Sequence, residues 1–170
     1  MSQGIMNILL GTGVKTIDNY KKAVFDGNMY TGAIYSPLTA GQTIKATFTT
    51  PTDKTIRFLP AIIQGLIGSL SAILYEGSSG NTGGTTMAAT NRNRNSLNVS
   101  TCVIKVGATV TTNGTAVGAY YVLPSTVPAQ GIVSEVELIL KKNTVYTLAI
   151  TNSSADTANA VVAELTYYEE

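Results

Sequence analysis

Apolar and polar residues alternate most cleanly at Thr43-Ile44-Lys45-Ala46-Thr47-Phe48-Thr49, where every second side chain is apolar. Successive side chains of an extended chain point to opposite faces, so this pattern predicts a strand with one dry face. Comparable patterns predict strands over 55–63, 69–76, 97–106, 117–123, 135–140, 144–151 and 160–169. Leu70, Ala72 and Leu74 share one face of the strand over 69–76, and Cys102, Ile104 and Val106 share one face of the strand over 97–106. Pro60 lies inside the strand over 55–63. Because proline has no N–H for the ladder, it predicts an edge or a bulge there. No segment carries a convincing helical period of 3.6, so the expectation is an all-β domain of eight strands.

The connections differ greatly in length. Gly77 to Thr86 is a run of Gly, Ser, Thr and Asn that reads as a long surface loop, and Pro124 to Gly131 reads as a second. Asn113-Gly114 reads as a hairpin turn into the strand over 117–123. Uneven loops suit a Greek-key arrangement, so the expected architecture is an antiparallel β-sandwich of jelly-roll type, with a closed up-and-down barrel as the alternative. Residues 1–40 mix apolar residues with Lys21, Lys22, Asp26 and several glycines. They read as an N-terminal arm, or short extra strands, ordered against a partner, with the sandwich occupying 41–170.

Phe58 to Leu74 carries no charge, but Pro60, Gly65 and Gly68 interrupt it. It reads as two buried strands and not as a membrane span. Met1 to Leu10 has no Lys or Arg ahead of its apolar residues, so synthesis in the cytoplasm without a secretory signal is expected.

Composition narrows the chemistry. Among 170 residues only 12% are charged, against about 25% in an average domain. The net charge is +1, there is one cysteine and there is no histidine. An intrachain disulfide, a Cys/His zinc site and a Ser-His-Asp or Cys-His catalytic set are thereby excluded. The chain instead has 25 Thr, 12 Ser and 12 Asn, so neutral hydroxyls and amides supply its polar surface. With little net charge to keep copies apart, such a surface favours association.

Individual motifs add little catalysis. Gly11-Thr12-Gly13-Val14-Lys15-Thr16 lacks the Gly-Lys adjacency of a phosphate-binding loop. Glu135 and Glu137 share a strand face and read as solvated. Cys102 reads as a small buried hydrophobe, since no histidine is present to act as its base. Most of Tyr120, Tyr121, Tyr146, Tyr167 and Tyr168 are expected in a core or interface. The most unusual pattern is Asn91-Arg92-Asn93-Arg94-Asn95. Extended, it would set two guanidinium groups against a row of amides, a polar edge or a hydrogen-bonded seam to another subunit. No wide basic field or stacking aromatics accompany it, so nucleic acid is not an expected partner. No cofactor or metal is expected either.

Leu74-Tyr75-Glu76-Gly77-Ser78-Ser79-Gly80, the Asn91 to Ser96 run, Glu137-Leu138-Ile139-Leu140-Lys141-Lys142-Asn143-Thr144-Val145-Tyr146, the terminal Tyr167-Tyr168-Glu169 and Lys21-Lys22-Ala23-Val24-Phe25-Asp26-Gly27 resemble small virion proteins of tailed bacteriophages, of the capsid decoration or head-fibre kind. That resemblance implies a homotrimeric β-sandwich without enzymatic activity that sits on the head, bridging major capsid protein subunits on the virion surface. Asn91 to Asn95, with Lys21 and Lys22, are then the expected interface residues, and the arm over 1–40 is expected to anchor to the capsid or to a neighbouring subunit. A tail-fibre or carbohydrate-binding module is the alternative function, and a glycosidase working on Asp/Glu pairs is the weakest.

Overall fold

The computed structural model describes residues 20–65, 68–122, 137–154 and 159–170. The described part of a short helix, α1, covers 20–25. Eleven strands follow among the described residues: β1 (Met29–Leu38), β2 (Thr43–Thr49), β3 (Ile56–Gly65), β4 (Leu70–Glu76), β5 (Thr82–Met87), β6 (Thr90–Asn91), β7 (Val103–Thr109), β8 (Thr115–Val122), β9 (Leu138–Leu140), β10 (Val145–Asn152) and β11 (Asn159–Glu169). They form two antiparallel sheets, one in the order β6-β1-β11-β3-β9 and the other in the order β5-β7-β2-β10-β4-β8. The chain is an all-β sandwich.

The alternating residues of β2 and β4 fold as the pattern requires, with Ala46, Phe48, Leu70, Ala72 and Leu74 buried on the inner face. Phe48 of one sheet meets Phe58 of the other edge-to-face, with ring centroids 5.6 Å apart. Tyr30 of β1 stacks on Tyr167 of β11 at 5.7 Å. Pro60 lies at a bulge. Leu59 pairs with Thr166 and Ile62 with Glu164, so Pro60 and Ala61 together oppose Leu165 alone. The ladder to β9 covers only Ile56 to Phe58, so in this pairing Pro60 owes β9 no hydrogen bond.

Three features depart from the sequence reading, and with them the expected count of eight strands. First, β1 falls inside the segment read as an arm, yet it pairs with β11 along its whole length and buries Tyr30, Ile34 and Leu38 in the core. The sandwich therefore begins at Met29, not at residue 41. Gly32 and the polar residues of β1 break its alternation, which hid it. Residues 1–19 lie outside the described part.

Second, part of the supposed loop over 77–86 is the edge strand β5, paired with β7. Its residues from Thr82 to Thr86 are exposed on both faces, so no hydrophobic period exists to reveal it. Gly84 and Gly107, which oppose each other in this register, both have positive φ, and a Cβ on Gly84 would lie 3.1 Å from the Ala108 backbone. The loop over 124–131 lies outside the described residues.

Third, Asn113-Gly114 is not a hairpin turn. β7 and β8 stand on opposite sides of β2, β10 and β4, and the chain between them crosses the outer face of the sheet. Lys45 Nζ donates to Asn113 Oδ1 at 2.9 Å, Ser78 Oγ donates to the Asn113 carbonyl, and Ser79 and Thr112 exchange backbone bonds of 2.9 and 3.1 Å. Thr47 and Thr147, neighbours on that outer face, are buried. Gly114 has φ +89°, and a Cβ there would meet the Glu76 carbonyl oxygen at 2.1 Å.

Candidate functional site

The residues singled out in sequence do come together, in a geometry different from the expected one. α1 ends in a left-handed Gly27, with the Gly27 N–H bonded to the Val24 carbonyl at 3.1 Å and the Asn28 N–H to the Ala23 carbonyl at 2.9 Å. This paired closure satisfies carbonyls that the helix end leaves open. Ala23 packs with Met29 and Tyr168, so α1 is seated at the start of β1 and the end of β11.

After β6 the chain turns and does not extend. The Asn91 carboxamide oxygen accepts from the Asn93 N–H at 2.9 Å, the Asn93 oxygen accepts from the Asn95 N–H at 3.1 Å, and Ser96 Oγ accepts from the Asn98 N–H at 3.1 Å. These i to i+2 bonds are the local turns that Asn and Ser favour over a strand ladder, which is why the extended amide row does not form. The amide donors reach back to the end of α1. Asn91 Nδ2 bonds the Gly27 carbonyl at 2.7 Å, Asn93 Nδ2 the Phe25 carbonyl at 2.9 Å, and Asn98 Nδ2 the Asp26 carbonyl at 3.2 Å. The amides thus clamp the turn onto the helix within the chain.

The charged members sit around this clamp. Arg92 approaches Glu164 at 3.5 Å and Lys22 pairs with Asp26, while Lys21 and Arg94 are exposed. Exposed pairs of this kind contribute little stability, so these charges define a surface more than they hold the fold.

Beneath the turn lies an arrangement that the sequence reading missed. The Glu169 side chain is wholly buried, and its carboxylate accepts from Lys54 Nζ, Ser100 Oγ, the Thr101 N–H and Thr101 Oγ1, each at 2.8 or 2.9 Å. Burial alone would push its pKa up, but the bonds from Lys54, Ser100 and Thr101 outweigh it and hold the carboxyl below its ordinary value. Ser100 also meets the Tyr167 hydroxyl at 2.7 Å. This network fastens the 96–102 segment to β11. Its only sequence signal is an acidic residue near the end of an apolar strand, with partners about 68 and 115 residues away.

A second cluster joins β3, β11 and the start of β9. Arg57 pairs with Glu170 at 2.8 Å and Glu137 at 3.2 Å, and Tyr168 donates to Glu137 at 2.8 Å. Burial and then this bond push the Tyr168 hydroxyl up to about 12. Glu137 is therefore paired instead of merely solvated, and Glu135 lies outside the described residues. Cys102 is buried, and desolvation pushes its thiol up to about 12, so it is protonated at neutral pH and a poor nucleophile. Tyr146, Tyr167 and Tyr168 are buried and Tyr121 is exposed.

Among the described residues no group of three His, Cys, Asp or Glu side chains is placed to hold a metal, and no helix is long and apolar enough to cross a membrane. No protein-family model and no curated protein matches the chain. The site is chemically a rigid polar turn with exposed apolar and cationic side chains, suited to contact with another surface.

Proposed function

We propose that the chain is a structural virion protein, a capsid decoration protein that sits as a homotrimer on the outer surface of a tailed-phage head and binds the major capsid protein. The observation that carries this reading is strand order. With β5, β6 and β7 set aside, one sheet runs β1-β11-β3-β9 and the other β2-β10-β4-β8. Labelling those eight strands B to I in chain order gives B-I-D-G and C-H-E-F, an order that supports the jelly-roll reading, and jelly rolls recur in viral capsid and lectin domains. β5, β6 and β7 are then an insertion between the fourth and fifth of these strands that widens both sheets at one side.

Two further features support the reading. Neutral Thr, Ser and Asn dominate the polar composition, which lowers the cost of burying surface between subunits. Among the described residues the buried side-chain oxygens of Tyr146, Tyr167, Tyr168 and Glu169 are committed to hydrogen bonds within the chain.

The test is binding of the purified chain to phage heads that lack it, alongside a glycan array. Saturable binding to heads with no saccharide preference is expected. Saccharide binding without head binding would favour the tail-fibre alternative. With β1 in the core, the anchoring role expected of the arm over 1–40 is proposed for the part ahead of α1, so removing residues 1–19, with α1 and β1 kept, is expected to abolish head binding and leave a folded chain.

A further inference from the structure

The most exposed large apolar side chains among the described residues include three where α1 meets the Asn-rich turn. Leu97 is 97% exposed, Phe25 79% and Val99 78%. Scattered exposed apolar residues need no explanation, but several gathered on one surface mark an interaction site. The backbone under them is fixed. Asn93 holds the Phe25 carbonyl, and Asn98, between Leu97 and Val99, bonds both the Asp26 carbonyl and the Asn28 side chain. Docking such side chains costs little additional ordering.

Beside them a cleft of about 300 Å³ opens where the chain leaves β5 for β6, lined mainly by Met87, Ala88, Ala89, Val99, Cys102 and Ile104. Its walls are largely apolar, and it has room for a leucine side chain. The same region carries exposed Lys21 and Arg94, and Asp26, which is already paired with Lys22. One surface therefore holds both halves of an apolar contact, a projecting side chain and a cleft that shares Val99 with it. A dissimilar partner would need only one half, whereas contact between copies needs both on the same chain.

We infer that this surface joins copies of the chain, with Leu97 of one copy seated in the Met87 to Ile104 cleft of its neighbour. The inference rests on the assembly reading above and names the surface that performs it. The Asn91 to Asn95 run then serves self-association indirectly, by holding the turn that offers Leu97.

Sedimentation of the full chain without phage particles tests this directly. The wild type is expected to run as an oligomer at about 10 μM, and Leu97→Asp is expected to weaken association by at least about tenfold while the far-ultraviolet circular dichroism of the folded chain stays unchanged. A wild-type monomer, or a Leu97→Asp variant with the wild-type mass, would overturn the inference. A monomeric wild type that still binds heads would do so while leaving the head-binding proposal intact. A second arm, in a Cys102→Ala background because Cys102 lines the same cleft, mixes Leu97→Cys chains with Ala88→Cys chains under dissolved oxygen. A disulfide-linked pair formed only on mixing is the expected product, and no linked pair beyond that of each variant alone would contradict the seating of Leu97 in the cleft.

Discussion

Glu169 and Lys54 meet at 2.9 Å, joining the end of the last strand to the turn that precedes β3, with the carboxylate side chain wholly shielded from solvent. Ser100 and Thr101 complete its coordination. Removing one partner from a buried charged network leaves the others unpaired, which is more costly than the network's net worth. Glu169→Gln is therefore expected to lower stability by about 3 kcal/mol at neutral pH, as read from urea unfolding.

The same carboxylate sets an acid response. Its pKa in the folded chain is lowered from 4.5, so the unfolded chain takes up the proton first as pH falls. Its stabilisation is complete above the ordinary glutamate value and is lost as pH drops through the lowered folded value. Unfolding followed from pH 7 to pH 3 should show the wild type losing stability below about 4.5 more steeply than Glu169→Gln does. Parallel curves for the two would contradict the assignment.

Two glycines with similar backbone angles should respond differently to a methyl group. Gly41 has φ +71° and open space around its Cβ position, so Gly41→Ala should cost about 1 kcal/mol from backbone strain alone. Gly114 adds a clash with the Glu76 carbonyl to the same strain, and Gly114→Ala should cost roughly 3 kcal/mol or more. Equal melting temperatures for the two variants would count against the crossing over the outer face.

The amide clamp predicts local loosening without global loss. Asn91→Ala removes the acceptor of the Asn93 N–H and the donor to the Gly27 carbonyl, bonds each worth about 1 kcal/mol. Hydrogen exchange at the Asn93 amide should accelerate about fivefold to tenfold while amides of β10 and β11 keep their protection.

Strands with one dry face were legible in the sequence, because burial on a single side writes a period of two into the residues. β2 and β4 are the clear cases. β5 has no dry face, β6 has two residues and β1 carries Gly32 and polar residues among its apolar ones, so none of them carries that period. The crossing at Asn113-Gly114 was hidden for another reason. The dipeptide permits a tight turn but does not say which strands it joins, and that was decided by Ser78, Ser79 and Lys45, distant in the chain. The Asn-rich run is visible as a pattern but its shape is not, since local turns outcompete extension. Glu169 was illegible because its partners are all far away in sequence.

A capsid decoration protein, as proposed above, must be found on the particle. Electron cryomicroscopy of purified phage particles, with the chain labelled by a bound antibody fragment, tests it most directly. Label on the outer surface of the head, at positions joining neighbouring capsid subunits, is the predicted result. Label confined to the tail, or absent from particles altogether, would contradict it.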